Sequence, residues 1–230
     1  MTVLTGVVAQ SSAKRSAEDT FHNTRMLRDG SVATIPWTQA LTLEGRVYGA
    51  APGATALGVA AGSFGAGAID TDEFDYLQTI PATVAVLPIY IRVCIVTIGT
   101  AAEAGFHAFW GGAGVIGANS VAVTPHNLLT NSSNTSACTV ATLGDDGGTT
   151  FVPAGLIARD VVMGITPNIT ATTAIGSTFI PAWSAITAGY TPTITGLASP
   201  ARQIVIWANG QAAAGYIHHV FAELPIADIA

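Results

Sequence analysis

Half of the 230 residues are hydrophobic and only 10% are charged, with a formal net charge of −6; an ordinary soluble domain carries about 25% charge. Disorder is excluded, because it requires low hydrophobicity together with high charge, and one lysine with seven arginines cannot build a broad phosphate-binding face. A surface tuned for solitary life in water is about 25–35% charged, so the deficit implies that something else covers much of this one.

The first 36 residues stand apart as an N-terminal arm. Lys14, Arg15, Arg25 and Arg28 are offset there only by Glu18 and Asp19 within the first 28 positions, whereas residues 29–230 hold four arginines against twelve acids. The stretch AKRSAEDTFHNTRMLRDG is the helix or arm candidate, with Phe21, Met26 and Leu27 as anchors for a neighbour. Lys14 and Arg15 follow the short apolar start instead of preceding it, which is not the order of a secretory signal. The expectation is a soluble product made in a cytoplasm.

Residues 37–230 read as one β-sandwich domain, a length within the roughly 200–250 residues that large all-β domains reach. Leu41 to Tyr48 alternates apolar and polar residues with period two, predicting a strand. Ala50–Ala68 is too glycine-rich for a helix and too apolar for a free linker, and reads as packed loops or edge strands. The acidic run Asp70 to Asp75 offers oxygen ligands to a calcium ion or forms a solvated loop before a strand at Tyr76. Thr83 to Ile98 is the most apolar stretch, but Pro88 and Arg92 interrupt it and Val and Ile dominate it, so it predicts a strand and not a spanning helix. Within it Ile89, Ile91, Val93 and Ile95 share one face. Further strands are predicted at Gly105–Trp110, Thr139–Leu143, Asp160–Ile165, Thr178–Ile186, Gln203–Ala208 and Tyr216–Glu223, separated by turn clusters such as GDDGG at 144–148. Eight to ten strands with irregular loops predict an antiparallel sandwich, most naturally a single jelly roll of two four-stranded sheets.

Motifs of catalysis are wanting. Gly112, Gly114 and Gly117 match the dinucleotide spacing, but no helix and no timely acid follow, the next being Asp145. Asp145 and Asp146 beside two glycines read as a turn. Of the five histidines (His22, His107, His126, His218, His219), the adjacent pair on a strand must point to opposite faces and cannot share a metal. Cys94 and Cys138 have no zinc or redox spacing and read as small buried hydrophobes. Sequons at Asn131, Asn134 and Asn168 read as chance in a threonine-rich chain. No residue is assigned a catalytic, cofactor-binding or metal role, no cofactor or small-molecule substrate is expected, and the chain is not expected to be an enzyme.

Two runs carry a family resemblance. IPATVAVLPIYIRVCIVTIGT (80–100) has a proline turn, an apolar strand opening on a second proline, and a long alternating strand; QIVIWANGQAAAGYIHHVFAELP (203–225) reads as a hairpin with small residues at its tip. Together they resemble single jelly-roll capsid proteins of small tailless icosahedral viruses. That resemblance implies a structural virion protein whose partners are copies of itself and other capsid proteins. Lacking a long basic tract, it would touch nucleic acid weakly or indirectly, across an internal membrane or another protein layer. The alternative is a β-sandwich lectin, adhesin or receptor-binding trimer using Trp37, Trp110, Trp183 or Trp207 against sugar rings. A cupin-like enzyme would need a His/carboxylate metal set that the histidine spacing does not supply.

Overall fold

The alternating stretches become strands of two antiparallel sheets that face each other across one core. A computed structural model describes residues 36–51, 62–63, 74–97, 103–112, 121–142, 151–163, 182–209 and 214–229. In chain order these form α1 (Trp37–Leu43), β1 (Val47–Ala50), β2 (Gly62–Ser63), β3 (Tyr76–Ile80), β4 (Val84–Thr97), β5 (Glu103–Gly112), β6 (Val121–Val123), β7 (His126–Asn127), β8 (Thr139–Thr142), β9 (Val152–Met163), β10 (Ala182–Ser184), α2 (Ala185–Ala188), β11 (Ile194–Thr195), β12 (Arg202–Asn209), β13 (Ala214–Pro225) and a closing 3-10 turn, Ile226–Asp228. The predicted arm at 1–36, apart from Pro36, lies outside the described residues.

The first sheet has the order β10-β4-β13-β1-β7, with β11 added to β4 and β2 to β13; the second runs β6-β8-β3-β12-β5-β9. Every pairing is antiparallel. Ile91, Val93, Ile217 and Phe221 of the first sheet meet Tyr76, Phe106, Ile157, Ile204 and Ile206 of the second in a single buried cluster. The protein is therefore an all-β sandwich, in which each strand turns alternate side chains to the shared core. Residues 121–142 extend both sheets at the same side of the sandwich: β7 flanks β1, and β8 with β6 flanks β3.

Both sheets also carry apolar residues on their outer faces. On the first, Val47, Ile89 and Ala222 form a small cluster with Leu41 of α1 packed on it. On the second, Phe74, Leu77, Phe151, Val205 and Trp207 form another, with Phe151 and Phe109 edge-on to Trp207.

Five expectations need correction. The strand predicted at Leu41–Tyr48 begins only at Val47, because residues 37–43 form a helix. Pro36 sets the backbone ahead of its first turn, and Gly45, at φ +66, ends it where an added Cβ would lie 2.7 Å from Ser132 Oγ. Ile89 does not share the face of Ile91 and Val93: a bulge opposite Val220/Phe221 turns it to the outer cluster. The run 203–225 is not a hairpin, since β12 lies in the second sheet and β13 in the first. Finally, β9 starts at Val152, well before the predicted Asp160, and β10 ends at Ser184, whose hydroxyl caps α2 by accepting from Ile186 N at 3.2 Å. Pro153 and Gly155 look like loop residues, but β9 is an edge strand, where proline is tolerated. Gly155 leaves room for Trp110, whose Nε1 would lie 2.4 Å from an added Cβ.

Ile91 is fully buried at the centre of the core and Leu156 is 54% exposed on β9. In urea unfolding, Ile91→Ala is expected to cost about 2–5 kcal/mol. Leu156→Ala should stay within about 0.5 kcal/mol in the monomer; equal losses would contradict the assigned faces.

Candidate functional site

Polar groups inside the sandwich gather along β3 and β13. The register that turns Phe221 inward also turns in His219 and Glu223. His219 Nδ1 shares a 3.0 Å hydrogen bond with the Tyr76 hydroxyl, and the two rings meet edge to face at 5.4 Å. Burial, with the neighbouring His218 second, pushes the His219 imidazole down to about 3, and burial holds the Tyr76 phenol well above its ordinary range. Both are therefore neutral at pH 7. The Gln78 amide and His219 Nε2 are buried without a hydrogen-bond partner among the described residues. Gln78 faces the Cys138 thiol, which burial raises first and the Glu223 charge second, so this cysteine is not a nucleophile near neutral pH.

Glu223 fastens the 127–138 segment to the sandwich. Its carboxylate accepts a hydrogen bond from the Ser136 hydroxyl, and takes the backbone N–H of Ala137 at 2.9 Å and of Cys138 at 3.3 Å. Asn127 Nδ2 donates to Gly45 O at 2.8 Å and to Asn134 O at 3.2 Å, while Asn134 Nδ2 donates to Gly45 O at 3.2 Å. Tyr48 adds a hydroxyl bond to Thr135 O at 3.3 Å. Ser136 and Glu223 are thus engaged in holding a loop, not in activating a hydroxyl.

The residues singled out from sequence are dispersed. His218 and His219 do face opposite sides, His218 meeting Tyr90 on the outer face of the first sheet. His107 is buried and stacks on Phe109 on the second sheet, His126 lies exposed on β7, and His22 is outside the described residues. Cys94 is half-buried and Cys138 buried; both are free thiols. Trp207 is buried, Trp183 packs against the core, and Trp110 packs there too with Arg202 4.9 Å above its ring. Trp37 is 43% exposed on α1. Of the acidic run only Asp75 is described, buried beside β3 and engaged, so the calcium expectation at Asp70 to Glu73 lies outside the described residues, as do Asp145, Asp146, Gly114, Gly117 and Asn168. Among the described residues no three His, Cys, Asp or Glu side chains gather as a metal site, and no helix is long and apolar enough to cross a membrane.

What the described surface does present is large apolar side chains in pairs. Val152 (60% exposed) and Leu156 sit four residues apart on the edge strand β9. Ile186 (67%) and Tyr190 (62%) project from α2 and the turn after it, with Leu197 exposed in the following loop. Sequence reasoning missed the Glu223 fastening; its signal was the Asn/Ser-rich run at 127–136, which invites side chain-to-backbone bonds. No protein-family model, curated protein or solved structure matches the chain.

Two outcomes follow from the polar interior. Glu223→Ala strands a hydroxyl and two N–H groups, with an expected loss of roughly 2–4 kcal/mol and faster hydrogen exchange at 136–138; unchanged exchange there would contradict the fastening. His219 is neutral in the fold down to about pH 3, while an unfolded histidine protonates near pH 6.5. Above that pH its contribution is nil; below it the unfolded chain takes up a proton the fold refuses, so stability falls by about 1.4 kcal/mol per pH unit. His219→Gln should flatten the stability profile between those limits, and an unaltered slope would show that His219 is not the group responsible.

Proposed function

We propose that the sandwich is a single jelly roll and the chain a structural virion protein, a capsid building block that assembles into an icosahedral shell around a viral genome. The carrying observation is the nesting of the strand pairs. Take β1, β3, β4, β5, β9, β10, β12 and β13 as eight strands in order. The first pairs with the eighth, the second with the seventh, the third with the sixth and the fourth with the fifth. Such a series is one long antiparallel hairpin wound around a core, the wrap expected of a jelly roll. The ladders β4–β13 and β5–β12 then join the pairs into two groups of four, β1-β13-β4-β10 and β3-β12-β5-β9. In this reading β2, β6, β7, β8 and β11 are short additions.

A fold hosts many functions, so the shell reading leans on the surface as well. A chain that is 10% charged, with apolar pairs standing on an edge strand and a loop, fits a subunit whose faces are buried by copies of itself and other capsid proteins. A carbohydrate-binding reading asks for exposed tryptophans, and three of the four pack into or against the sandwich. Contact with the genome is weak or indirect, and the mature location is the virion.

Expressed full-length protein should sediment as large particles and show shells or rings of regular size by negative-stain microscopy. Leu156→Glu combined with Ile186→Glu should shift it to small species with unchanged circular dichroism. A wild-type chain that stays monomeric at high concentration contradicts the reading.

A further inference from the structure

The outer face of the first sheet carries a cluster of positive and protonatable groups in a chain that is otherwise short of them. Opposed residues of β4 and β13 put Arg92 beside His218, Tyr90 beside Val220 and Cys94 beside Tyr216. One strand further, Gly49 of β1 pairs with His126 of β7. Gly49 lets the imidazole come close: an added Cβ would lie 2.9 Å from His126 Nε2. His126 is near enough that its charge, like that of Arg92, acts on His218. Tyr90 stands edge-on to His218 with ring centroids 6.2 Å apart.

None of Arg92, His126 and His218 forms an ion pair with a described carboxylate, and Arg92 Nε is buried without an acceptor among the described residues. A buried guanidinium N–H left without a partner is costly, and an incoming carboxylate supplies what it lacks. The rest of the molecule is rich in that group, with twelve acids against four arginines over residues 29–230.

We propose that this face, around Arg92, His218 and His126, receives an acidic side chain from a second copy of the chain, and that the contact tightens as His218 becomes protonated. The inference rests on the reading of the chain as a self-assembling subunit and adds which face and which chemistry. Arg92 supplies a permanent charge and a forked donor, His218 adds charge only on acidification, and His126 offers a further ring N–H beside them. In the free subunit burial, then His126, then Arg92 hold His218 below its ordinary range; a carboxylate set among the three reverses the electrostatic part of that effect. The other titratable groups facing this area among the described residues are Tyr90 and Cys94 on β4 and Tyr216 on β13, while β10 places Ala182 and Ser184 opposite Arg92 and Tyr90.

Association of the full-length chain is measured by sedimentation velocity at about pH 5.5 and about pH 8, for wild type, Arg92→Gln, His218→Gln and His126→Gln. Net charge itself falls toward zero near the pI of about 5.1, so the readout is wild type against variant at the same pH. His218→Gln should associate about tenfold more weakly than wild type at the lower pH and within about twofold of it at the higher, and His126→Gln should associate more weakly than wild type at the lower pH. Arg92→Gln should be weaker at both. His126 is exposed, so its variant carries the test if Arg92→Gln does not fold. Three variants that associate like wild type at the lower pH overturn the proposal. So does binding of wild type to phosphatidylserine vesicles that is lost in Arg92→Gln while self-association is unchanged, because the occupant is then a lipid headgroup. Shells that form at neutral pH and ignore all three substitutions sink this inference alone, whereas a chain monomeric under every condition sinks it together with the shell reading.

Discussion

The pairing of β4 with β13 fixes the rest. It runs from Val84 opposite Pro225 to Thr97 opposite Ala214, interrupted by irregularities near Gly215 and Val220. Because side chains alternate with period two, this one register sends Ile91, Val93, Ile217, His219 and Phe221 into the sandwich and Arg92, His218 and Tyr90 out of it. A slip of a single residue would bury Arg92 and His218 and expose the aliphatic row. The bulge at Val220/Phe221 is part of the same device: it turns Ile89 out to meet Leu41 of α1, so a helix is seated on the outer face by an irregularity in a strand.

Scarcity of charge shapes what remains. With 10% of its residues charged, the protein secures the 127–138 segment by neutral and charge-assisted hydrogen bonds: the buried carboxylate of Glu223 takes the 136–138 turn, and asparagines close the chain back to Gly45. The core holds His219 as a neutral imidazole, which ties stability to pH at this residue. On the outside, large apolar side chains stand exposed on β9 and around α2, and the described part of edge strand β9 carries no lysine of the kind that guards such edges.

Strand existence was largely legible from the sequence, because β4 alternates with period two, β8, β12 and β13 are rich in β-branched and aromatic residues, and turn residues bound them. Connectivity was less so. Small residues at 210–215 suggest a tight hairpin, yet β12 and β13 belong to different sheets, and no local signal distinguishes a hairpin from a crossing between layers. Residues 41–48 alternate as a strand would, but Pro36 and Gly45 bracket a short helix over 37–43, from which Leu41 packs on the outer cluster. Glu223 was hidden for a different reason: its partners lie 85 or more positions away, and a lone glutamate near a strand end gives no hint that it is buried. The histidine pair was readable, since adjacency on a strand alone places the two on opposite faces.

The central claim is that the uncharged surface of this sandwich is a surface for neighbours. Hydrogen–deuterium exchange or hydroxyl-radical footprinting of the full-length chain, dilute and at assembling concentration, tests it most directly. The account predicts protection appearing with concentration at Val152–Leu156 and Ile186–Leu197, while the interior strands β4 and β13 are protected throughout. Labelling that is the same at both concentrations in those two segments would contradict it.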